Sequence, residues 1–344
     1  MASRMWAARG AAIACSGVLL ASCGGGGGGD GSGQAVDKPV ATVPGCVPGG
    51  SATGANVLFG ADLNTGTLTA FKTLTPSCEV WESHVFATVT RVANGIAYDA
   101  RRDELYVLAV QEYGPQEVDV YAHASVLAPG ATPTRSITLS AFAIARAISL
   151  DTAQDRLWVG GERTTWADDG GEIDMYENAS TRSGPAVADR QIRNIPGVVN
   201  MALDTTHAIL YAVAGVHDSV MAFAGTDTLT DGATPTFTIG GTAGSFGIAI
   251  DGARDIAYLP NPASGLRIVR HASTGLPDTA IMVPFDGAKA LMATVDSKND
   301  RLYLGGFAGA YVIDHASALT PSSPLPAPAA SAASSVVIGG FAMP

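Results

Sequence analysis

The chain has 344 residues, with 20 basic residues against 31 acidic ones and a formal charge of −11. That balance argues against nucleic acid as a partner, because phosphate binding needs a basic surface. Charged residues make up only 15% and glycines number 41, a composition that suits short strands and tight turns more than helices, in a chain long enough for a large core.

Arg4 and Arg9 precede an apolar run, 11–21, which falls short of the roughly 20 residues that cross a bilayer. Residues 1–22 therefore read as a secretory signal peptide. The run closes on Leu20-Ala21-Ser22-Cys23, which resembles the bacterial lipobox. The resemblance implies that the Cys23 thiol receives a diacylglyceryl group and becomes the first mature residue; the competing reading is a plain signal peptide with a chance cysteine. Removal of the leader takes Arg4 and Arg9 with it and leaves 18 basic residues against 31 acidic ones, a charge of −13.

Gly24–Gly29 follow Cys23 directly, and polyglycine behaves as a flexible coil. Residues 23–53 read as a lipidated Gly/Pro-rich tether with a reach on the order of 30 Å. Gly24 stands where lipoproteins retained at the inner membrane carry Asp, so the resemblance points to the outer membrane of the cell envelope. Cys15 leaves with the signal, and Cys46 and Cys78 remain. In an oxidising compartment their expected state is a disulfide, which would close a loop of about 33 residues worth roughly 3 to 4 kcal/mol. Two free or metal-binding thiols are the alternative.

Residues 54–344 carry an internal repeat. Five segments share an apolar strand ending in Asp, a polar turn, and a second strand with an aromatic near its start. Gly-Ile-Ala-Tyr-Asp99 precedes Glu-Leu-Tyr106-Val, and Ala-Ile-Ser-Leu-Asp151 precedes Arg-Leu-Trp158-Val. The pattern returns at Asp204, Asp251 and Asp296, so that the five aspartates are 52, 53, 47 and 45 residues apart. A third strand and a Pro-rich connection to a fourth strand follow each time, with Gly-Ala-Thr-Pro-Thr at both 130–134 and 232–236. This spacing predicts an all-β chain, a β-propeller of four-stranded antiparallel blades.

Ahead of the first full unit, 56–61, 66–74 and 84–89 supply three strands without an innermost one. After a last fourth strand at 336–338, a short remnant ends at Pro344. The expectation is six blades, with the C-terminal residues completing the first blade and closing the ring; five blades and an irregular cap is the alternative. The Gly-Ile-Ala-x-Asp and Leu-Tyr-Val pieces resemble NHL-type and gluconolactonase-like six-bladed propellers. Gluconolactonase-like enzymes hold a divalent metal at the channel mouth, but that ligand set does not map onto this sequence residue by residue.

Strand alternation puts the four-to-one and two-to-three loops on one face and the one-to-two and three-to-four turns on the other. The repeated aspartates fall at turns, where carboxylates accept backbone N–H bonds. The His-Ala-Ser tripeptides at His123, His271 and His315 recur on that same face as architecture. Ala-Gly-Ser245-Phe-Gly lacks the strand-before, helix-after context of a nucleophile elbow.

On the opposite face, Asn94, Arg146, Asn200, Phe246 and Lys289 are expected to ring the channel mouth, beneath loops bearing Tyr113 and Trp166. Such a rim suits a small anionic or sugar-like ligand. Asp168, Asp169 and Glu172 offer oxygens that suit Ca²⁺, the only cofactor the sequence suggests. The expected function is a monomeric, lipid-anchored scaffold that binds an envelope protein or small ligand without catalysis. The alternative is a metal-dependent lactonase- or lyase-like enzyme.

Overall fold

The computed structural model describes residues 57–61, 66–75, 78–88, 92–111, 114–140, 142–163, 170–214, 217–275, 280–284, 290–306, 309–323, 330–331 and 340–342. All lie within one compact unit, Ala41–Pro344. Among them the only helices are three 3₁₀ turns of three residues each. The strands form a propeller of antiparallel sheets, most of them four-stranded.

Five sheets come from the five repeats in order, and their innermost strands are Val92–Asp99, Ile144–Asp151, Val198–Asp204, Ala249–Asp251 and Ala290–Asp296. A further sheet draws on both ends of the described chain: Gly340–Ala342 pairs antiparallel with Val57–Ala61, followed outward by Thr67–Thr75 and Cys78–Thr88. The outer strand Cys78–Thr88 begins well before the expected residue 84, because it pairs along the whole of Thr67–Thr75. The last repeat's fourth strand is Ala330–Ser331, paired with Gly309 and Ala310, while the expected 336–338 lies outside the described residues. One strand was not foreseen. Gly184–Ala186 leaves the second unit and pairs in parallel with Arg135–Leu139 of the first, covering an outer edge that would otherwise stay open.

The core is divided into layers between neighbouring sheets. Alternation along the second strand of the first unit shows why: Leu105 and Val107 pack towards Phe59 and Leu68, whereas Tyr106 and Leu108 pack towards Leu157 and Val159. Similar layers join each later pair of consecutive units. The recurring aromatics Tyr106, Trp158, Tyr211, Tyr258 and Tyr303 are all fully buried, each contributing a large apolar area at the same height in its sheet.

The hairpin turns are built on pairs of acids. Asp99, Asp151, Asp204, Asp251 and Asp296 each accept turn N–H bonds through Oδ1, as from Ala153 and Gln154 to Asp151 at 3.0 Å each. Four residues on, Asp103, Asp155, Asp255 and Asp300 occupy the left-handed region at φ 53° to 55°. Their carboxylates receive both the N–H and the hydroxyl of Ser125, Ser180, Ser273 and Ser317.

This explains the His-Ala-Ser tripeptide. The residue at His123, Asn178, His271 or His315 turns the chain at φ 53° to 56°, the alanine is buried, and the serine fastens the end of the third strand to the hairpin. In the third unit both partners change together: Ala208 replaces the acid and Asp227 the serine, which avoids opposing two carboxylates. Asp227 instead meets Arg156 of the preceding unit at 2.7 Å.

We expect Asp255→Ala to destabilise the protein by about 1 to 3 kcal/mol, the cost of stranding two donors and forcing Ala into the left-handed region. Asp255→Asn should recover part of this, and urea unfolding of Asp255→Ala combined with Ser273→Ala should show strongly non-additive losses.

Candidate functional site

The turn aspartates also register the innermost strands. Five residues before Asp99, Asp151, Asp204 and Asp296, one residue has no partner on the second strand: Asn94, Arg146, Val199 and Leu291. A β-bulge at a constant offset thus bends each strand where it enters the sheet and re-aims that side chain. Phe246 holds the corresponding position in the fourth unit, ahead of the shorter strand Ala249–Asp251, and is exposed.

The next position holds Gly95, Ala147, Asn200, Gly247 and Met292 in turn. At Gly95 and Gly247 the neighbouring innermost strand comes close: a Cβ on Gly95 would stand 2.9 Å from Ile148 Cγ2, and one on Gly247 would stand 2.4 Å from the Leu291 carbonyl oxygen. Between these strands lies a cavity of about 300 Å³. Its lining is graded. Gly95, Ala147, Asn200 and Met292 stand near the loop face, and Tyr98, Leu150, Leu203, Ile250 and Val295 near the hairpin turns. Asn200, Ser149, Thr294 and Tyr98 supply polar side chains, and although most other lining residues are apolar the surface the wall exposes is mainly polar. Asn200 reaches across to Met292, its amide donating to Sδ at 3.3 Å.

The loop face assembles as expected, with four-to-one connections tied to two-to-three loops. The Ala143 N–H donates to the Glu162 carbonyl, and the Ala145 N–H to Gln116 Oε1. Of the expected rim residues, Asn94 donates to the Ala145 carbonyl at 2.8 Å and joins two innermost strands. Arg146 pairs with Glu162 at 3.2 Å. Asn200 sits one residue inside the bulge and belongs to the cavity wall. Lys289, Tyr113, Trp166, Asp168 and Asp169 lie outside the described residues, as do Cys23 and Cys46; Cys78 opens an outer strand.

Glu172, expected as a calcium ligand, is fully buried and engaged by cations and an amide. Arg193 Nε donates to its Oε1 at 3.0 Å, Gln191 Nε2 to the same oxygen at 3.1 Å, and Arg163 lies 3.5 Å from Oε2. Neither Asn94 nor Asn200 is among its partners. Among the described residues no group of three or more His, Cys, Asp or Glu side chains is placed to hold a metal ion.

Sequence reasoning missed what lies beside Glu172. Asp174 is also fully buried and accepts from Gln191 Nε2 at 3.2 Å and from the Tyr176 hydroxyl at 3.1 Å. Burial, the charge of Glu172 and a hydrogen bond to it push Asp174 up to about 7, so the neutral acid is favoured in the folded protein. The signal was present in Glu172-Ile-Asp174-Met-Tyr176, where acids alternate with core residues along a buried strand.

Protein-family models searched against the sequence give no match, and no curated protein matches it either.

The raised value for Asp174 sets a direction for stability with pH. The folded state holds a proton that the unfolded chain has released above its ordinary value of 3.8, so stability falls as pH rises from about 4 to about 7. Asp174→Asn should flatten this slope and lose less Tm than the wild type between pH 5 and pH 8 in calorimetry.

Proposed function

We propose that this chain is a lipid-anchored propeller of the bacterial cell envelope, most simply at the outer membrane, whose loop face binds a small polar or sugar-like ligand or an envelope partner. The cavity is the observation that carries the reading: it encloses about 300 Å³ and its exposed wall is mainly polar, so it offers hydrogen-bonding groups, backbone ones included, to a small polar ligand. Phe246, exposed at the rim, adds an apolar surface on which a sugar ring can stack.

In this reading the composite sheet is a sixth blade that closes the ring, as in NHL-type propellers. Its support is that the innermost strands touch one another in cyclic order, with Gly340–Ala342 between Ala290–Asp296 and Val92–Asp99. The lactonase-like alternative draws less support, because the Asn94 amide nitrogen and Glu172 Oε1 are already engaged by protein partners.

Binding of uncharged mono- and disaccharides to the mature protein, measured by calorimetry, tests the ligand. Asn200→Ala and Phe246→Ala should each weaken a saccharide that binds by about tenfold, or 1.4 kcal/mol. Affinity unchanged in both variants would remove the cavity and rim from consideration. Fractionation tests the anchor: Cys23→Ala should move the protein from envelopes to the soluble fraction.

A further inference from the structure

The strand-three position that carries Asp119 in the first unit and Asp174 in the second carries Arg267 in the fourth. Its guanidinium lies where the fourth unit meets the third, beneath the connection 240–244. A Cβ on Gly241 would stand 2.5 Å from Nη1 and 3.3 Å from Cζ, and Gly241 is itself at φ 70°, so this connection covers the cation only because residue 241 has no side chain.

Among the described residues, Arg267 is the one arginine with neither a hydrogen bond nor an ion pair. Nε is buried without an acceptor, while Nη1 and Nη2, equally unpaired, reach solvent. Asp218 is the nearest opposing charge, but its Oδ1 already accepts the Ala243 N–H. Two more polar atoms on the same two loops are buried without partners: Thr242 Oγ1, in a residue 3% exposed, and His217 Nε2. A partly desolvated cation that makes no ion pair is costly to maintain, and polar groups left unpartnered on the adjoining loops add to that cost. One acceptor-rich group would satisfy all three.

We propose that Arg267, with Thr242 and His217, forms an oxyanion-binding site at the junction of the third and fourth units. The ligand group is a carboxylate or a phosphoryl oxygen cluster, received by the Arg267 fork in the bidentate manner that guanidinium favours. Nη1 and Nη2 make the first contact from solvent. The glycine-rich stretch Gly240-Gly241-Thr242-Ala243-Gly244 moves slightly to admit an oxygen to Thr242. The site is separate from the cavity at the innermost strands, so its failure would leave the saccharide reading untouched.

The test uses the mature protein titrated with sodium phosphate and with sodium acetate, each against sodium chloride at equal ionic strength, read by calorimetry and by Tm. At least one of the two anions should bind saturably and raise Tm above the chloride control. Phosphate alone assigns a phosphoryl group, and acetate assigns a carboxylate. Arg267→Gln should weaken that binding at least tenfold while leaving Tm in chloride equal or higher, since it removes an unpaired charge. Thr242→Val should weaken it severalfold and serves as the second variant should Arg267→Gln fold poorly. No response beyond chloride, or equal responses from the wild type and both variants, would overturn the proposal.

Discussion

Backbone N–H groups in a tight hairpin need an acceptor wherever a sheet edge is covered by its neighbours, and in this protein a buried carboxylate provides it. Asp99, Asp151, Asp204 and Asp251 are each at most 6% exposed and hold their turns through Oδ1. The acid fixes where the innermost strand stops and therefore which residues sit four and five positions earlier. The bulge, the close approach at Gly95 and Gly247, and the cavity between the strands all follow from that register. A slip by one residue would exchange the two faces of the strand and empty the layers between sheets.

Within this common plan the units have diverged at one slot. The strand-three position holds Asp119, Asp174, Met221, Arg267 and Tyr311 in turn. Met221 and Tyr311 continue the apolar layers. Asp119 takes a hydroxyl from Ser136, Asp174 is held by Gln191 and Tyr176, and Arg267 has no hydrogen-bond or ion-pair partner among the described residues. The scaffold tolerates an ionic group in this place where polar side chains from strand four reach it, as Ser136 and Gln191 do.

Much of the fold was legible because it repeats. Five copies of an Asp-ending strand and an aromatic second strand give both the sheet count of the repeats and their order, and the three spare strands at the start leave room for a fourth from the end. The parallel strand Gly184–Ala186 was not legible, since it breaks the rule that each sheet uses its own unit and carries no alternation of its own. The site was legible only in outline. Asn94, Arg146 and Phe246 fall at one common offset from their turn aspartates, whereas Asn200 is one residue past the bulge, because bulges insert a residue without any signature in composition. Arg267 was hidden for another reason: whether a cation is paired depends on loops distant in sequence, here 217–218 and 240–244.

The pairing of Phe59 with Ala342 joins two residues separated by nearly the whole length of the repeat region. While the nascent chain is still being made, Val57–Ala61 can pair outward with Thr67–Thr75 but has no neighbour on its inner side. Entropy makes that final contact late, and an unmatched edge is the usual entry point for wrong strand exchange between copies. A chain whose Val57–Ala61 edge waits for so distant a strand gains from a strongly negative net charge, which keeps copies apart meanwhile.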